Sequence, residues 1–178
     1  MTFARISTIA LGAFLVAPGV FSQDAMQLSS SSIVEGKILK EHACASHGGR
    51  DVSVQLSVKG IPADAKFLSI VMDDPDAVPV AGKTWVHWNL FNIAASGLAN
   101  IDAGAAPAGD AGRASGGSKT YEGMCPPNGT HTYRFAVFAT KEKVDVGGFF
   151  GPSAMTIDYF SSKFGALVVG KAQISGQF

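Results

Sequence analysis

Charge is scarce in this chain of 178 residues. Asp, Glu, Lys and Arg make up 16% of it, and 14 basic residues balance 14 acidic ones. A net charge of zero leaves no electrostatic footprint for nucleic acid or an anionic membrane surface, and neither is expected as a partner. Cysteine is nearly absent, with only Cys44 and Cys125, far apart. No Gly-x-Ser-x-Gly elbow occurs, so nothing in the spacing names a nucleophile. Internal repeats and domain linkers are missing too. At 47% hydrophobic residues, the composition instead suits a single globular domain with a real core.

The N-terminal stretch "MTFARISTIALGAFLVAPGVFSQ" carries one positive residue, Arg5, then a short apolar run from Ile6. That run is too short to span a bilayer, and no stop-transfer segment follows. It reads as a secretory signal over residues 1–22, against the alternative of a retained anchor. The expected product is a domain over residues 23–178, periplasmic or secreted, with no integral membrane segment. In an oxidising compartment an even cysteine count favours one disulfide between Cys44 and Cys125. Two separate buried thiols are the other reading.

Beyond the signal, short apolar or alternating runs are divided by turn residues: "DVSVQLSV" at 51–58, "KFLSIVM" at 66–72, "TWVHWNLFNI" at 84–93 and "HTYRFAVFAT" at 131–140. These read as strands, with Trp85, His87, Asn89 and Phe91 on one face of the third and Val86, Trp88, Leu90 and Asn92 on the other. In the fourth, His131, Tyr133, Phe135 and Val137 share a face opposite Arg134. The Gly/Ala-rich stretch 96–119 has almost no periodic signal, and loops of that length are usually functional or mobile. Phe160, Phe164, Leu167 and Val168 fall at helical spacing, with Ser153 as a plausible N-cap. "KAQISGQF" then reads as a closing strand. The class is mainly β.

The chemistry gathers around "VMDDPDAVP", where an apolar strand ends in three acids. Two further strands each carry a histidine among aromatics, and "YEGMCPPNGTHTYRF" stiffens the approach to the second with Pro126 and Pro127. Prolines remove backbone donors, so that segment forms a wall rather than a central strand. "DDPDAVP", "WVHW" and "YEGMCPPNGTHTYRFAVFAT" follow the order and spacing of the phosphatidylethanolamine-binding protein family. The chain is similar to its bacterial branch, itself similar to Raf kinase inhibitor protein, from about Leu28 to the end.

The resemblance implies two antiparallel sheets with Greek-key topology, a few short helices and a C-terminal helix. It implies a pocket for small anions and phosphorylated head groups, with no cofactor. Carried over, the ligand-binding positions are Asp74 and Asp76, Trp85 and His87, Gly123, Pro126 and Pro127, and His131 and Tyr133. One or both carboxylates would accept imidazole N–H bonds and favour protonated rings. The chain departs from the family pattern at Val78, where proline is usual, and lacks Ser-Pro and Leu-Ser-Trp elements near residues 48–58. The expected role is non-enzymatic binding, with inhibition or modulation of a protease or other protein partner beside it. A small hydrolase using the Asp/His pocket is the rival, and metal at His42, Cys44 and His47, or at His87, His131 and Asp74, is a second.

Overall fold

The longest apolar runs become the middle of a sheet. In the computed structural model, which describes residues 25–147 and 153–178, the chain forms β1 (Gln27–Ser29), β2 (Ile33–Val34), β3 (Lys37–Ile38), β4 (Leu56–Lys59) and β5 (Phe67–Asp74). Next come α1 (Val78–Ala81), β6 (Trp85–Ala94), β7 (Asn100–Ile101), β8 (Asp110–Ala111) and β9 (Thr132–Thr140). Two elements close the fold, α2 (Ile157–Phe164) and β10 (Val168–Gln177). The signal expected at 1–22 lies outside the described residues.

Seven strands pair in the order β2-β3-β10-β9-β5-β6-β8, and three in the order β1-β4-β7. The run β9-β5-β6-β8 is antiparallel throughout and is a Greek key, its fourth strand returning beside its first. The strand pairing departs from the all-antiparallel expectation at β10 and β3, which meet in parallel where Gln177 opposes Lys37.

Both faces of the larger sheet are covered, which explains why β5 and β6 are buried almost throughout rather than on alternate residues. One face packs Leu68, Ile70, Met72, Trp88, Tyr133, Phe135 and Val137 against Leu56 and Val58 of the smaller sheet. The other packs Val71, Phe91, Ala136 and Phe138 under α2. Phe160 sits with its ring centroid 4.3 Å from that of Phe138, and burying such a ring contributes about 2–3 kcal/mol.

Three local readings change. The cap of α2 is Thr156, whose hydroxyl accepts from the Tyr159 amide at 3.1 Å, and Ser153 lies in the exposed approach. The helix stops at Phe164, and after a single tight turn over Gly165–Leu167, Val168 already belongs to β10. The helical spacing at Leu167 and Val168 is therefore a junction. The stretch 96–119 supplies β7 to one sheet and β8 to the other. It has no periodic signal because these strands are only two residues each, and Gly109 and Gly112 serve close approach to β6 while Gly97 and Gly117 hold positive φ. A Cβ on Gly112 would lie 2.5 Å from the Phe91 ring and 2.6 Å from Asn89 Cβ.

Candidate functional site

Two bulges in β6 decide where its side chains point. Met72 opposes Trp88 and Asp73 opposes Val86, leaving His87 as the extra residue. A bulge turns two successive side chains toward one face. Trp88 thus joins the core beside Tyr133, while the His87 ring lies edge-on to Tyr133 at 5.2 Å. Strict alternation would have separated His87 from Trp88. A second bulge sits where Leu68 opposes Ile93 and Ile70 opposes Leu90, and Asn92 there takes a positive φ of 56°. Its side chain accepts from Val144 N and donates to Val144 O, which orders the strap beyond β9.

The three acids at the end of β5 go to three places. Asp73 is fully buried and takes two bonds from Arg134, at 2.8 and 2.9 Å, and one from the Ile157 amide at 2.9 Å. Its hydrogen bonds, ahead of its charge, raise the Arg134 pKa still further. Asp74 faces the opposite side, and its Oδ2 accepts from His131 Nδ1 at 2.7 Å, while its Oδ1 accepts from the Asp76 amide at 2.9 Å. Asp76 is exposed and accepts from the Thr132 amide at 2.8 Å. It holds the start of β9 from outside.

A cavity of about 380 Å³ opens beside Asp74. Of the residues singled out in the sequence, Asp74, Trp85, His87, Gly123, Pro126, Pro127, His131 and Tyr133 line it, and Asp76 does not. Ala77, Val80 and Ala81 complete an apolar wall, and Glu122 and Cys125 another edge. The motif around Gly123 contains Glu122 and Cys125, so they were within reach of sequence reasoning. Val80 and Ala81 carried no signal. Lys83 stands over one of the lining residues, its Nζ 5.4 Å from the Trp85 ring centroid.

Both pocket histidines are buried, at 4% exposure for His87 and 7% for His131, but they are anchored differently. His131 is held by its carboxylate and by paired backbone bonds with Phe178, at 2.9 and 3.1 Å. The partner of His87 Nδ1 is the Glu122 backbone oxygen, at 2.9 Å. Of the two imidazole–carboxylate pairs considered from sequence, only the Asp74–His131 pair is present. Burial lowers the His87 pKa from 6.5, against weaker upward pulls from the Glu122 carbonyl, Asp74, the Glu122 carboxylate and Asp73. Burial, then Asp74 and Asp76, raises the Tyr133 pKa, keeping its hydroxyl a neutral donor.

The wall is fixed from behind. Cys44 and Cys125 form a disulfide across a sequence separation of 81, and Cys44 N donates to Met124 O at 3.0 Å. Gly123 is required here because a Cβ would fall 2.5 Å from both Cys44 N and Asp51 Oδ1. His47 Nδ1 lies 3.3 Å from Cys44 Sγ, and the three side chains cluster, but bonded sulfurs offer no thiolate. His42, the third residue of the candidate metal cluster read from sequence, is fully buried, with Nδ1 at 2.7 Å from Val52 O.

Residues 29–178 match the family model described as phosphatidylethanolamine-binding protein. The chain is 36% identical over 148 residues to the UPF0098 protein of Methanothermobacter thermautotrophicus, spanning 80% of this chain and 91% of that one. It is 38% identical over 102 residues to a Mycobacterium tuberculosis protein described as the lipoprotein LppC, about half of each chain. Among solved structures it resembles YbcL of Escherichia coli, described as a member of the mammalian PEBP family, and the PEBP homologue CT736 of Chlamydia trachomatis. Each superposes with a TM-score of 0.71 at 26% identity, covering 86% of this chain and 97% of the other.

Proposed function

This chain belongs to the phosphatidylethanolamine-binding protein family, and on that premise we propose that it is an exported binding protein without enzymatic activity. Its cavity accepts a small anion or phosphorylated head group, and the occupied surface modulates a partner protein. The observation that carries this reading is the Asp74–His131 pair opening, together with His87, into one small cavity with apolar walls. Asp74 fixes His131 Nδ1 as the bonded nitrogen and leaves Nε2 for a ligand. An imidazolium formed there is balanced by the carboxylate behind it. The Tyr133 hydroxyl adds a neutral donor, and Lys83 stands over the Trp85 ring.

The lining supports binding over hydrolysis. Among the described residues it contains no serine or threonine hydroxyl, and its one cysteine sulfur is bonded to Cys44. The Asp/His pair thus stands without the serine, threonine or cysteine nucleophile that such a pair would activate. Export is supported by the disulfide, by the relative described as a lipoprotein, and by the signal pattern in residues 1–22. No helix among the described residues is long and apolar enough to cross a membrane.

An NMR titration of the purified protein with inorganic phosphate and phosphoethanolamine tests the reading. Saturable shifts of the His87 and His131 imidazole signals, lost in Asp74→Ala, are expected. Imidazole signals that stay still with both ligands would overturn it.

A further inference from the structure

We propose that in the reduced chain Cys44, Cys125 and His47 bind a thiophilic cation, zinc above all, with Ser46 marking the fourth ligand position. The disulfide and the ion are then alternative occupants of one site. Cysteines enter every chain as thiols, so the metal-binding form precedes the disulfide.

The geometry carries this assignment. Zinc takes thiolate sulfur at about 2.3 Å and imidazole nitrogen at about 2.0–2.1 Å in a tetrahedron, which sets neighbouring sulfur and nitrogen ligands about 3.6 Å apart. His47 Nδ1 already stands 3.3 Å from Cys44 Sγ and 3.6 Å from Cys125 Sγ. Ser46 Oγ lies 3.0 and 3.2 Å from the same two sulfurs and 3.5 Å from His47 Nδ1. Five of the six edges of a small tetrahedron are therefore in place, and the sixth is the covalent bond itself. Breaking that bond lets the sulfurs swing apart to about 3.8 Å, the spacing two thiolates keep on one zinc ion. A disulfide has no need of these neighbours, because its sulfurs are weak acceptors.

Two segments build the site, and they stay together without the sulfur bridge. Residues Ala45–His47 form a single tight turn closed by His47 N donating to Cys44 O at 3.0 Å. Residues three apart in such a turn lie on one face, so Cys44 and His47 point the same way. Cys125 comes from the wall, where Ala43 and Met124 form a bridge and Cys44 N donates to Met124 O at 3.0 Å. Asp51 ties the same segments: its carboxylate accepts from Gly123 N at 2.9 Å and its amide donates to Ala43 O at 3.0 Å. Behind them the Tyr121 hydroxyl donates to His42 O at 2.9 Å. Reduction removes one link from this set, and Cα atoms 5.6 Å apart keep both thiols within reach of one ion. Cys125 is exposed and Cys44 half-buried, so the ion enters from solvent. Two thiolates with an imidazole select zinc or copper(I) over the hard calcium and magnesium ions.

Cobalt is the probe, because thiolate ligands give it a charge-transfer band and a tetrahedral site gives it strong visible bands. The full chain is reduced with a phosphine, which takes oxygen from water and delivers two electrons to the disulfide, each sulfur gaining a proton. Those protons pass to the buffer when the ion binds. One equivalent of Co2+ is expected to produce both signals in the reduced chain, and Zn2+ to erase them by displacement. The oxidised chain should produce neither. In His47→Ala the cobalt affinity should fall at least about tenfold, a loss that even an outer partner of a ligand brings. Ser46→Ala should keep the charge-transfer band.

Far-UV circular dichroism follows the fold in parallel, and the reduced chain should keep its β signal. A reduced chain without the charge-transfer band, folded or not, would overturn the proposal. So would equal cobalt affinity in His47→Ala, which leaves a bare pair of thiols as the binder, or the same signals in the oxidised chain.

Discussion

Asp73 and Asp74 stand side by side at the end of β5, yet the pleat sends them to opposite faces of one sheet. On one face Asp73 is sealed, its oxygens bonded to Arg134 and to the amide that opens α2. On the other, Asp74 holds a histidine at the edge of a cavity. The same residue type thus serves cohesion on one side and lines a cavity on the other. What separates the roles is the partner's access to solvent space: Arg134 points into the seam between β9 and α2, whereas His131 lines an opening. Ion pairs of the first kind hold when intact and are costly when half is removed.

The comparison is broken most severely at Arg134. Arg134→Ala leaves a buried carboxylate unpaired and is expected to cost about 3–5 kcal/mol in denaturant unfolding. Phosphate affinity of the folded fraction should stay unchanged. Asp158 also touches Arg134 at 3.2 Å, but it is exposed, and its loss should cost less than about 1 kcal/mol.

Removing the disulfide tests the wall behind the cavity face. The double variant Cys44→Ser with Cys125→Ser should lose about 3–5 kcal/mol, from release of a long loop in the unfolded chain. Unlike Arg134→Ala it should also weaken phosphate binding, because Cys125 belongs to the lining.

Asp74→Asn sharpens the contrast. It keeps an acceptor for the Asp76 amide but leaves His131 without its carboxylate, at a stability cost of about 1–3 kcal/mol. Binding should fall at least about tenfold, the equivalent of one charge-assisted bond. Equal binding losses in Asp74→Asn and Arg134→Ala would erase the distinction between the faces.

A smaller effect belongs to His87. Its folded pKa lies below the unfolded value of 6.5, so the unfolded chain binds more protons between the two values. Its contribution is fully present above 6.5 and is lost as pH falls through that window. Thermal unfolding from about pH 7.5 to 5 should show a shallower decline in His87→Gln than in the unmodified protein. The smallest change is Asp76→Ala. Losing one exposed bond to the Thr132 amide should cost about 0.5–1 kcal/mol and leave phosphate affinity within about twofold.

Much of this division was legible in the sequence. Period-2 alternation in residues 131–140 put Tyr133, Phe135 and Val137 opposite Arg134, and the structure agrees. The order of the Asp-Pro-Asp, Trp-x-His and Pro-Pro motifs pointed to one pocket only through the resemblance to the family that carries them. What alternation could not reveal was the bulge at His87, since an extra residue leaves no mark in a hydrophobic run. Nor could it tell Asp73 from Asp74: their partners are 61 and 57 residues away, and only strand pairing decides which face each meets. The tie from Glu122 O to His87 is invisible for a related reason, because a backbone carbonyl has no residue type.

The central claim is that the Asp74 face, and not the Asp73 face, holds the ligand. A crystal structure determined in inorganic phosphate tests it most directly. The account predicts phosphate in the cavity, one oxygen within about 3 Å of His131 Nε2 and another within hydrogen-bond reach of His87 Nε2, with Arg134 still paired to Asp73. Phosphate bound to Arg134 instead, or a cavity without phosphate at saturating concentration, would contradict it.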